Sequence, residues 1–388
     1  MPELDGLRGL AILLVLGIHW FGNTNPNLMN NTAFFWIAYG FSGVDLFFVL
    51  SGFLVGGILM DVRDSQAYFR TFYFRRVCRI FPLYYLFFTF VIFQTHFTTG
   101  IPSEDALQLP YYAAFLQNFF RAFTPRTGLP HMDVTWSLAI EEQFYLTLPL
   151  LIRYVSRHRL PHVLCAAIAA VPVIRTMVAH RYGSCAAYTL TFCRADALLL
   201  GVLGAWAYRD PRVWNWIVSR RKLLRAAVIG LGLGIIFMRA VLRENIYSYG
   251  MVRTGYTLFG LFYSGLLLLT LTDAASPAAR VFRLTPFRLL GTVAYCVYLI
   301  HGPVNVALHH WILSSVPRTQ TLEGLAVTLL SFPSVALIAL ISWRFIEKPM
   351  IAIGHRSSYG HTFATPPGSI QIAKFDAKPS NPSEITTK

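Results

Sequence analysis

Arg8 and His19 lie in the first apolar segment of the chain, LDGLRGLAILLVLGIHW, and are eleven positions apart. In a helix this spacing turns both side chains to one face, about 20° apart, with a rise of roughly 16 Å between them. An arginine suits a phosphate group, and a neutral imidazole suits a general base or a nucleophile. An extended phosphopantetheine arm has about the reach needed to join them. The alternative is an arginine placed by topology and a histidine that only packs.

A second basic group precedes another apolar segment, in FYFRRVCRIFPLYYL. Arg76 and Arg79 are three positions apart and share one helical face, with Arg75 beside them. Two guanidinium groups at this spacing can grip a phosphate in a bidentate manner. The three arginines therefore predict an anion site, although membrane topology alone also places arginines at such a position.

Two adjacent carboxylates, Glu141 and Glu142, stand within the apolar stretch TWSLAIEEQFYLTLPLL. Adjacent helical residues point about 100° apart, so at most one of them leads a given site. A carboxyl group held away from water suits proton transfer. The alternative is a buried ion pair, with Arg194 or His19 as the partner.

Further polar residues interrupt apolar segments, and we expect them to support the site: Asp45, Ser51, Arg194, Asp196 and His301. Ionisable groups are costly in a membrane core, so each one is a candidate for function or ion pairing. His301 is expected to pack rather than to react. The small residues Gly52, Gly56 and Gly57 after Ser51 predict close helix packing. No spacing of side chains predicts a metal site.

The composition sets the class of protein that carries these residues. The 388 residues are 55% hydrophobic and only 13% charged, with a mean hydropathy of +0.50. A soluble domain carries about a quarter charged residues, so this chain is neither a disordered protein nor an ordinary nucleic-acid-binding domain. The 5 cysteines include no CxxC pair, which argues against a disulfide framework or a structural zinc site.

Long apolar segments recur along the chain, and each is close to the length that a bilayer requires. We predict ten membrane-spanning helices, at roughly 7–22, 34–60, 80–97, 135–152, 162–179, 186–208, 225–242, 249–272, 289–313 and 324–346. The predicted fold class is therefore all-α, a polytopic integral membrane protein.

The net charge of +15 follows from this topology. With the N-terminus in the cytoplasm, about two dozen of the 33 Lys and Arg residues fall on the inner side. We therefore expect both termini in the cytoplasm, a multi-pass protein of the cytoplasmic membrane, and no nucleic-acid partner. Segment 98–134 is the long outer loop, expected over the outer mouth. Residues 1–353 form the predicted transmembrane domain, and 354–388 a disordered cytoplasmic tail.

Seven sequence blocks together resemble the membrane-bound acyltransferase family 3, which are integral-membrane O-acyltransferases. The blocks are LDGLRGLAILLVLGIHW, GVDLFFVLSGFL, FRRVCRIFPLYYL, TWSLAIEEQFYL, RADALLLG, LLGTVAYCVYLIHGP and RFIEKP. They occur in the family order from residue 4 to about 350. One departure is Ala294, where the family pattern leads us to expect a serine.

The resemblance assigns the family motifs residue by residue to Arg8 with His19, to Arg76 with Arg79, and to Trp136 with Glu141 and Glu142. It implies a stand-alone transferase without an appended hydrolase-like domain and without a permanently bound cofactor. The implied donor is cytosolic acyl-CoA, commonly acetyl-CoA, and the acceptor is a hydroxyl of a saccharide or glycolipid.

On this resemblance we expect Arg8, Arg75, Arg76 and Arg79 to hold the phosphates of the donor. His19 is expected to act as general base or to carry the acyl group for a moment. Glu142, or else Glu141, is expected to orient His19. The alternative function is a transporter or flippase of a glycosylated or acylated lipid, for which intramembrane ionisable residues serve equally.

Overall fold

The computed structural model describes residues 1–25, 28, 34–98, 106–124, 129–273 and 275–360. The predicted tail from residue 361 onward and parts of the predicted outer loop lie outside these residues. Within the described ranges the chain is helical and contains no strand, which confirms the all-α prediction.

Twelve helices make up most of the described chain. They are α1 (Pro2–Leu16), α2 (Gly43–Asp61), α3 (Tyr68–Thr98), α4 (Trp136–Tyr154), α5 (Leu160–Tyr182), α6 (Thr191–Arg209), α7 (Arg221–Ala240), α8 (Tyr256–Thr272), α9 (Thr285–Thr292), α10 (Ala294–Leu313), α11 (Leu322–Ser342) and α12 (Lys348–His355).

Further helical pieces connect or extend these helices. The α-helical pieces are Phe35–Ala38, Leu109–Ala113, Gln117–Phe123, Ser184–Thr189, Pro211–Ser219 and Pro277–Phe282. The 3₁₀ turns are Gly40–Ser42 and Asp133–Thr135, and the π-helical turns are Gly17–Gly22, Met251–Gly255 and Trp343–Glu347.

Eight helical segments of the described chain are long and apolar enough to cross a membrane, or up to 9 if one bent pair is a single span. Ten were predicted, and the difference has two causes. Helix α4 occupies the predicted segment 135–152, but Glu141 and Glu142 make it more polar than the other spans. The predicted span 289–313 is bent by 79° between α9 and α10, because the amphipathic α9 lies across α1.

Glycines allow the closest helix contacts around the site. A Cβ on Gly52 of α2 would overlap the carbonyl oxygen of Leu198 in α6, and a Cβ on Gly201 would overlap that of Val49. Helices α2 and α6 therefore meet backbone to backbone, as the small residues after Ser51 predicted. This contact fixes which side chains of the two helices face each other.

Candidate active site

A cavity of ≈ 240 Å³ runs through the bundle between α1, α2, α3, α4 and α10. Val44 and Ile58 of α2 both line it, so it follows that helix for about 21 Å. At one end it is lined by Arg8, Arg76 and Arg79, and toward the start of α4 by Ser137 with Tyr298. The sequence predicted that these three arginines share a site, and the structure brings them together.

Arg76 and Arg79 enter the cavity without a carboxylate partner. Among the described residues no ion pair of 4.0 Å or less involves either side chain, whereas Arg8 contacts Asp5 at 3.0 Å. Arg76 lies over the ring of Tyr145, with its guanidinium carbon 5.2 Å from the ring centroid. The lining holds three arginines, Arg8, Arg76 and Arg79, against two glutamates, Glu141 and Glu347, so a surplus of basic groups faces the cavity and makes it attractive to an anion.

Arg75 was expected to bind the donor with its neighbours, and the structure places it elsewhere. In the described part of the chain it lies outside the cavity lining and donates to the Ser357 carbonyl, through Nη2 at 2.8 Å and Nε at 3.2 Å. It also stacks over Tyr359, whose pKa is raised by burial, so the phenol stays neutral beneath the cation. Adjacent helical residues point about 100° apart, so Arg75 does not face the cavity that Arg76 lines. It contacts the segment after α12 instead.

Glu141 lies in the cavity beside the arginines and not beside the histidine that it was expected to orient. The Tyr145 hydroxyl donates to Glu141 Oε2 at 3.3 Å and is also hydrogen-bonded to Ser51, which lines the cavity too. Glu142 lies outside the lining, as expected for adjacent helical residues, and its buried Oε1 has no hydrogen-bond partner among the described residues. Neither glutamate is hydrogen-bonded to His19 in the described structure, so the structure does not bring them to the histidine that they were predicted to orient.

His19 instead contacts His301 of α10. Nδ1 of His19 lies 3.1 Å from Nε2 of His301, and the two ring centroids are 4.9 Å apart. His19 stands in the π-helical turn Gly17–Gly22, an irregularity common at functional sites. His301 was expected to pack, and it does so, with 1% of its surface exposed. The pattern of the sequence did not reveal that the two imidazoles meet.

The two histidines do not line the cavity but lie next to the end that is lined by Ser137 and Tyr298. Tyr298 lines the cavity one helical turn before His301, with their ring centroids 6.1 Å apart. The Tyr298 hydroxyl donates to the Val134 carbonyl at 2.7 Å and is hydrogen-bonded to Ser137 at 2.6 Å. Arg8 lines the cavity at its arginine end, and His19 follows it in sequence by eleven helical positions, a rise of roughly 16 Å.

Asp45 and Asp196 both pair with arginines in the protein interior. Arg194 donates to Asp45 at 2.7 Å, and Arg175 donates to Asp196 at 3.0 Å, with all four side chains 2% exposed or less. The predicted alternative in which a glutamate of α4 pairs with Arg194 is therefore wrong. These ion pairs join α2, α5 and α6 and lie outside the cavity lining.

His19 lies near two residues of the predicted outer loop. Arg121 and Asp133 form an ion pair at 3.1 Å and both interact electrostatically with His19. Trp136 starts α4 beneath this pair and packs on Tyr188, with ring centroids 4.5 Å apart. His19 therefore lies between the cavity and this part of the predicted outer loop.

Several residues of the cavity were not assigned a role from the sequence: Ser137, Tyr145, Tyr295, Tyr298, Trp343 and Glu347. Glu347 belongs to the block RFIEKP, which was the signal that could have found it. Tyr145 lies in the block TWSLAIEEQFYL, and Tyr295 and Tyr298 lie in the block LLGTVAYCVYLIHGP, so the blocks could have found these tyrosines too. They were not singled out because an aromatic residue in an apolar helix is usually part of the core.

The fold and the cavity define an integral-membrane acyltransferase, and the chain belongs to that family. The family profile described as "Acyltransferase domain" matches residues 1–343. No solved structure matches the chain.

Three relatives are informative. The chain is 28% identical over 367 residues to "Peptidoglycan O-acetyltransferase OatA" of Listeria monocytogenes, covering 90% of this chain and 56% of the relative. It is 30% identical over 380 residues to "Putative peptidoglycan O-acetyltransferase YrhL" of Bacillus subtilis, covering 92% and 56%. It is 28% identical over 382 residues to "O-acetyltransferase OatA" of Staphylococcus aureus, covering 92% and 58%. The chain thus spans little more than half the length of these relatives.

Proposed function

We propose that this protein transfers an acetyl group from cytosolic acetyl-CoA to a hydroxyl of a cell-envelope saccharide. Family membership supports acyl transfer, and the printed names of the relatives support an acetyl group and a peptidoglycan acceptor. The acetyl-CoA donor is what the family resemblance implies, and the arginines of the cavity support it as groups that suit phosphates. The positive-inside rule places the arginine end of the cavity at the cytoplasm.

The observation that carries the proposal is the cavity that extends from Arg76 and Arg79, which have no ion-pair partner among the described residues, to the neighbourhood of His19. Arg76 and Arg79 supply two cationic groups for the phosphates of CoA, and Arg8 lines the same cavity. The cavity follows α2 for about 21 Å, so the pantetheine arm can extend along it toward Tyr298. The thioester then lies next to the two imidazoles.

The chemistry balances with His19 as the base. The Nε2 lone pair of His19 takes the proton of the acceptor hydroxyl while that oxygen attacks the thioester carbonyl carbon. The carbon–sulfur bond of the tetrahedral intermediate breaks, and the thiolate receives the proton from His19. In the covalent variant, Nε2 attacks the thioester carbonyl and expels the CoA thiolate, which leaves an acylimidazolium. The acceptor hydroxyl then attacks the acyl carbon, the carbon–nitrogen bond breaks, and the thiolate takes the hydroxyl proton.

The acceptor approaches from the side opposite the donor. His19 interacts with Arg121 and Asp133, which belong to the predicted outer loop, so a hydroxyl in this region reaches the imidazole without entering the arginine end. This arrangement supports a carbohydrate acceptor outside the cytoplasm and a donor within it.

The test is an assay of the purified protein in lipid nanodiscs with radiolabelled acetyl-CoA and soluble peptidoglycan fragments. We expect free CoA thiol and acetylated fragment to appear in equal amounts, and only when both substrates are present. A transporter would release no thiol. If acetyl phosphate served as donor and acetyl-CoA did not, acyl transfer would stand and the CoA assignment would fall.

A further inference from the structure

The hydrogen bonds of His301 determine where its proton lies. Its Nδ1 is 2.8 Å from the Tyr298 carbonyl oxygen and 3.2 Å from that of Val297. Carbonyl oxygens only accept hydrogen bonds, so Nδ1 of His301 carries the proton. In the neutral ring Nε2 then holds a lone pair, and this is the atom that faces His19.

That lone pair determines the tautomer of His19 in turn. The 3.1 Å contact needs one donor, and the donor must be Nδ1–H of His19. Nε2 of His19 is then left with its lone pair. A neutral histidine in water prefers the opposite arrangement, with the proton on Nε2, and such a ring could neither accept a proton there nor attack a thioester.

We propose that His301 is a positioning residue that holds His19 in the Nδ1–H tautomer, so that Nε2 is the base or nucleophile of the reaction. The proposal rests on the proposed function for its chemical consequence, and on the contacts of two imidazoles for its geometry. When His19 gains a proton, Nδ1–H still donates to His301, whose lone pair stabilises the imidazolium. In serine hydrolases a carboxylate holds the catalytic histidine in its tautomer and stabilises the imidazolium in the same way.

The surroundings hold His301 firmly enough for this role. Its side chain is 1% exposed, and its backbone carbonyl accepts a hydrogen bond of 3.0 Å from Nε1 of Trp20, the residue after His19. The Trp20 ring packs edge-on against Phe332 of α11, with centroids 4.5 Å apart. These contacts hold the π-helical turn Gly17–Gly22 in place against α10, so that the His19 and His301 rings stay in contact.

The direct test is nitrogen NMR of the ¹⁵N-histidine-labelled protein in nanodiscs, with His19 assigned by its loss in His19→Asn. We expect Nδ1 of His19 to show the shift of a protonated nitrogen and Nε2 that of an unprotonated one. In His301→Leu the imidazole acceptor is lost and the Val15 carbonyl remains as a backbone partner of His19, so we expect the population to move part of the way toward the Nε2–H form. A wild-type His19 protonated on Nε2 would overturn the proposal.

Kinetics give the second measurement. We expect His301→Leu to lower kcat by about a hundredfold with little change in KM for acetyl-CoA, because loss of the correct tautomer removes base catalysis. His301→Gln places an amide oxygen where Nε2 was, and we expect it to keep kcat within about tenfold of wild type. A pure packing role predicts the reverse order, because leucine is the better core residue.

His309→Leu is the matched control, since His309 is a fully buried histidine of the same helix whose one hydrogen bond within the described ranges is to Thr328, at 2.9 Å. It reports the cost of losing a buried imidazole in α10, and we expect its kcat to stay near wild type. If the wild-type protein transfers no acyl group, the proposed function fails, while the NMR result still decides the tautomer. Equal losses in His309→Leu and His301→Leu would reject the positioning role.

Discussion

Nη2 of Arg194 donates to Oδ1 of Asp45 at 2.7 Å, across 149 positions of the chain and with both side chains 1% exposed or less. The Arg194 cation also lies over the ring of Tyr256, 4.0 Å from its centroid. A buried ion pair adds little stability by itself, but removing one partner leaves the other charge uncompensated. This pair makes the fold sensitive to single changes on α2 and α6.

Asp45→Ala is therefore expected to lower the free energy of unfolding by about 3–5 kcal/mol, because it strands the Arg194 guanidinium in the interior. The loss is measured by thermal unfolding in detergent, followed by size exclusion. Asp64→Ala is the matched control, since the Asp64–Arg157 pair has side chains 74% and 70% exposed. We expect this control to change the free energy by at most about 1 kcal/mol. Equal midpoints of thermal unfolding for Asp45→Ala and Asp64→Ala would contradict this prediction.

Arg76→Ala and Arg79→Ala are expected to weaken donor binding. Each loses a charged hydrogen bond to phosphate, worth about 1.5–3 kcal/mol, so KM for acetyl-CoA should rise roughly ten- to a hundredfold. Arg70→Ala is the control, since Arg70 is an exposed arginine of the same helix outside the cavity lining. An unchanged KM in both cavity variants would remove the assignment of the arginines to the donor.

His19→Ala is expected to reduce kcat by about 10²- to 10⁴-fold, the usual contribution of a general base. The rate of CoA release with acceptor present measures it, and immunoblotting checks that the membrane holds a normal amount of protein. His310→Ala removes an exposed histidine of α10 and should leave the rate unchanged. Full acyl transfer by His19→Ala would exclude both the base and the acyl-carrier role.

Gly52→Ala is expected to destabilise the bundle by about 1–3 kcal/mol, because the new Cβ meets the Leu198 backbone and not a mobile side chain. Gly230→Ala in α7 is the control, since no atom lies within 4 Å of the position of its Cβ. That change should stabilise slightly, by about 0.5–1 kcal/mol, through helix propensity. Thermal midpoints that move in the same direction would show that α2 and α6 are not held backbone to backbone.

The charge distribution predicts that the C-terminus lies in the cytoplasm. A green fluorescent protein fused after Lys388 should fluoresce in cells, and alkaline phosphatase fused there should be inactive. Alkaline phosphatase fused within the predicted outer loop, after Pro130, should be active. The opposite pattern would invert the topology and place the arginine end of the cavity outside the cytoplasm.

The sequence by itself determined the class of protein and the residues worth testing. Apolar segments of membrane length cannot remain in water, so they establish the helices and their approximate bounds. Arg8, Arg76 and Arg79 are costly unless they serve a purpose, and their types predicted an anion site that the structure assembles in one cavity. These conclusions depend on residue type, on spacing within each helix, and on the family resemblance that links the arginines of two helices.

Only the tertiary structure decided which side chains meet. His19 and His301 are 282 positions apart, and nothing local in either helix predicts their contact. The pairing of Asp45 with Arg194, in place of a glutamate of α4, depends on the rotation of α2 against α6, which is set by the backbone contacts at Gly52 and Gly201. Helical periodicity gives a residue its face, but packing between helices determines what that face touches.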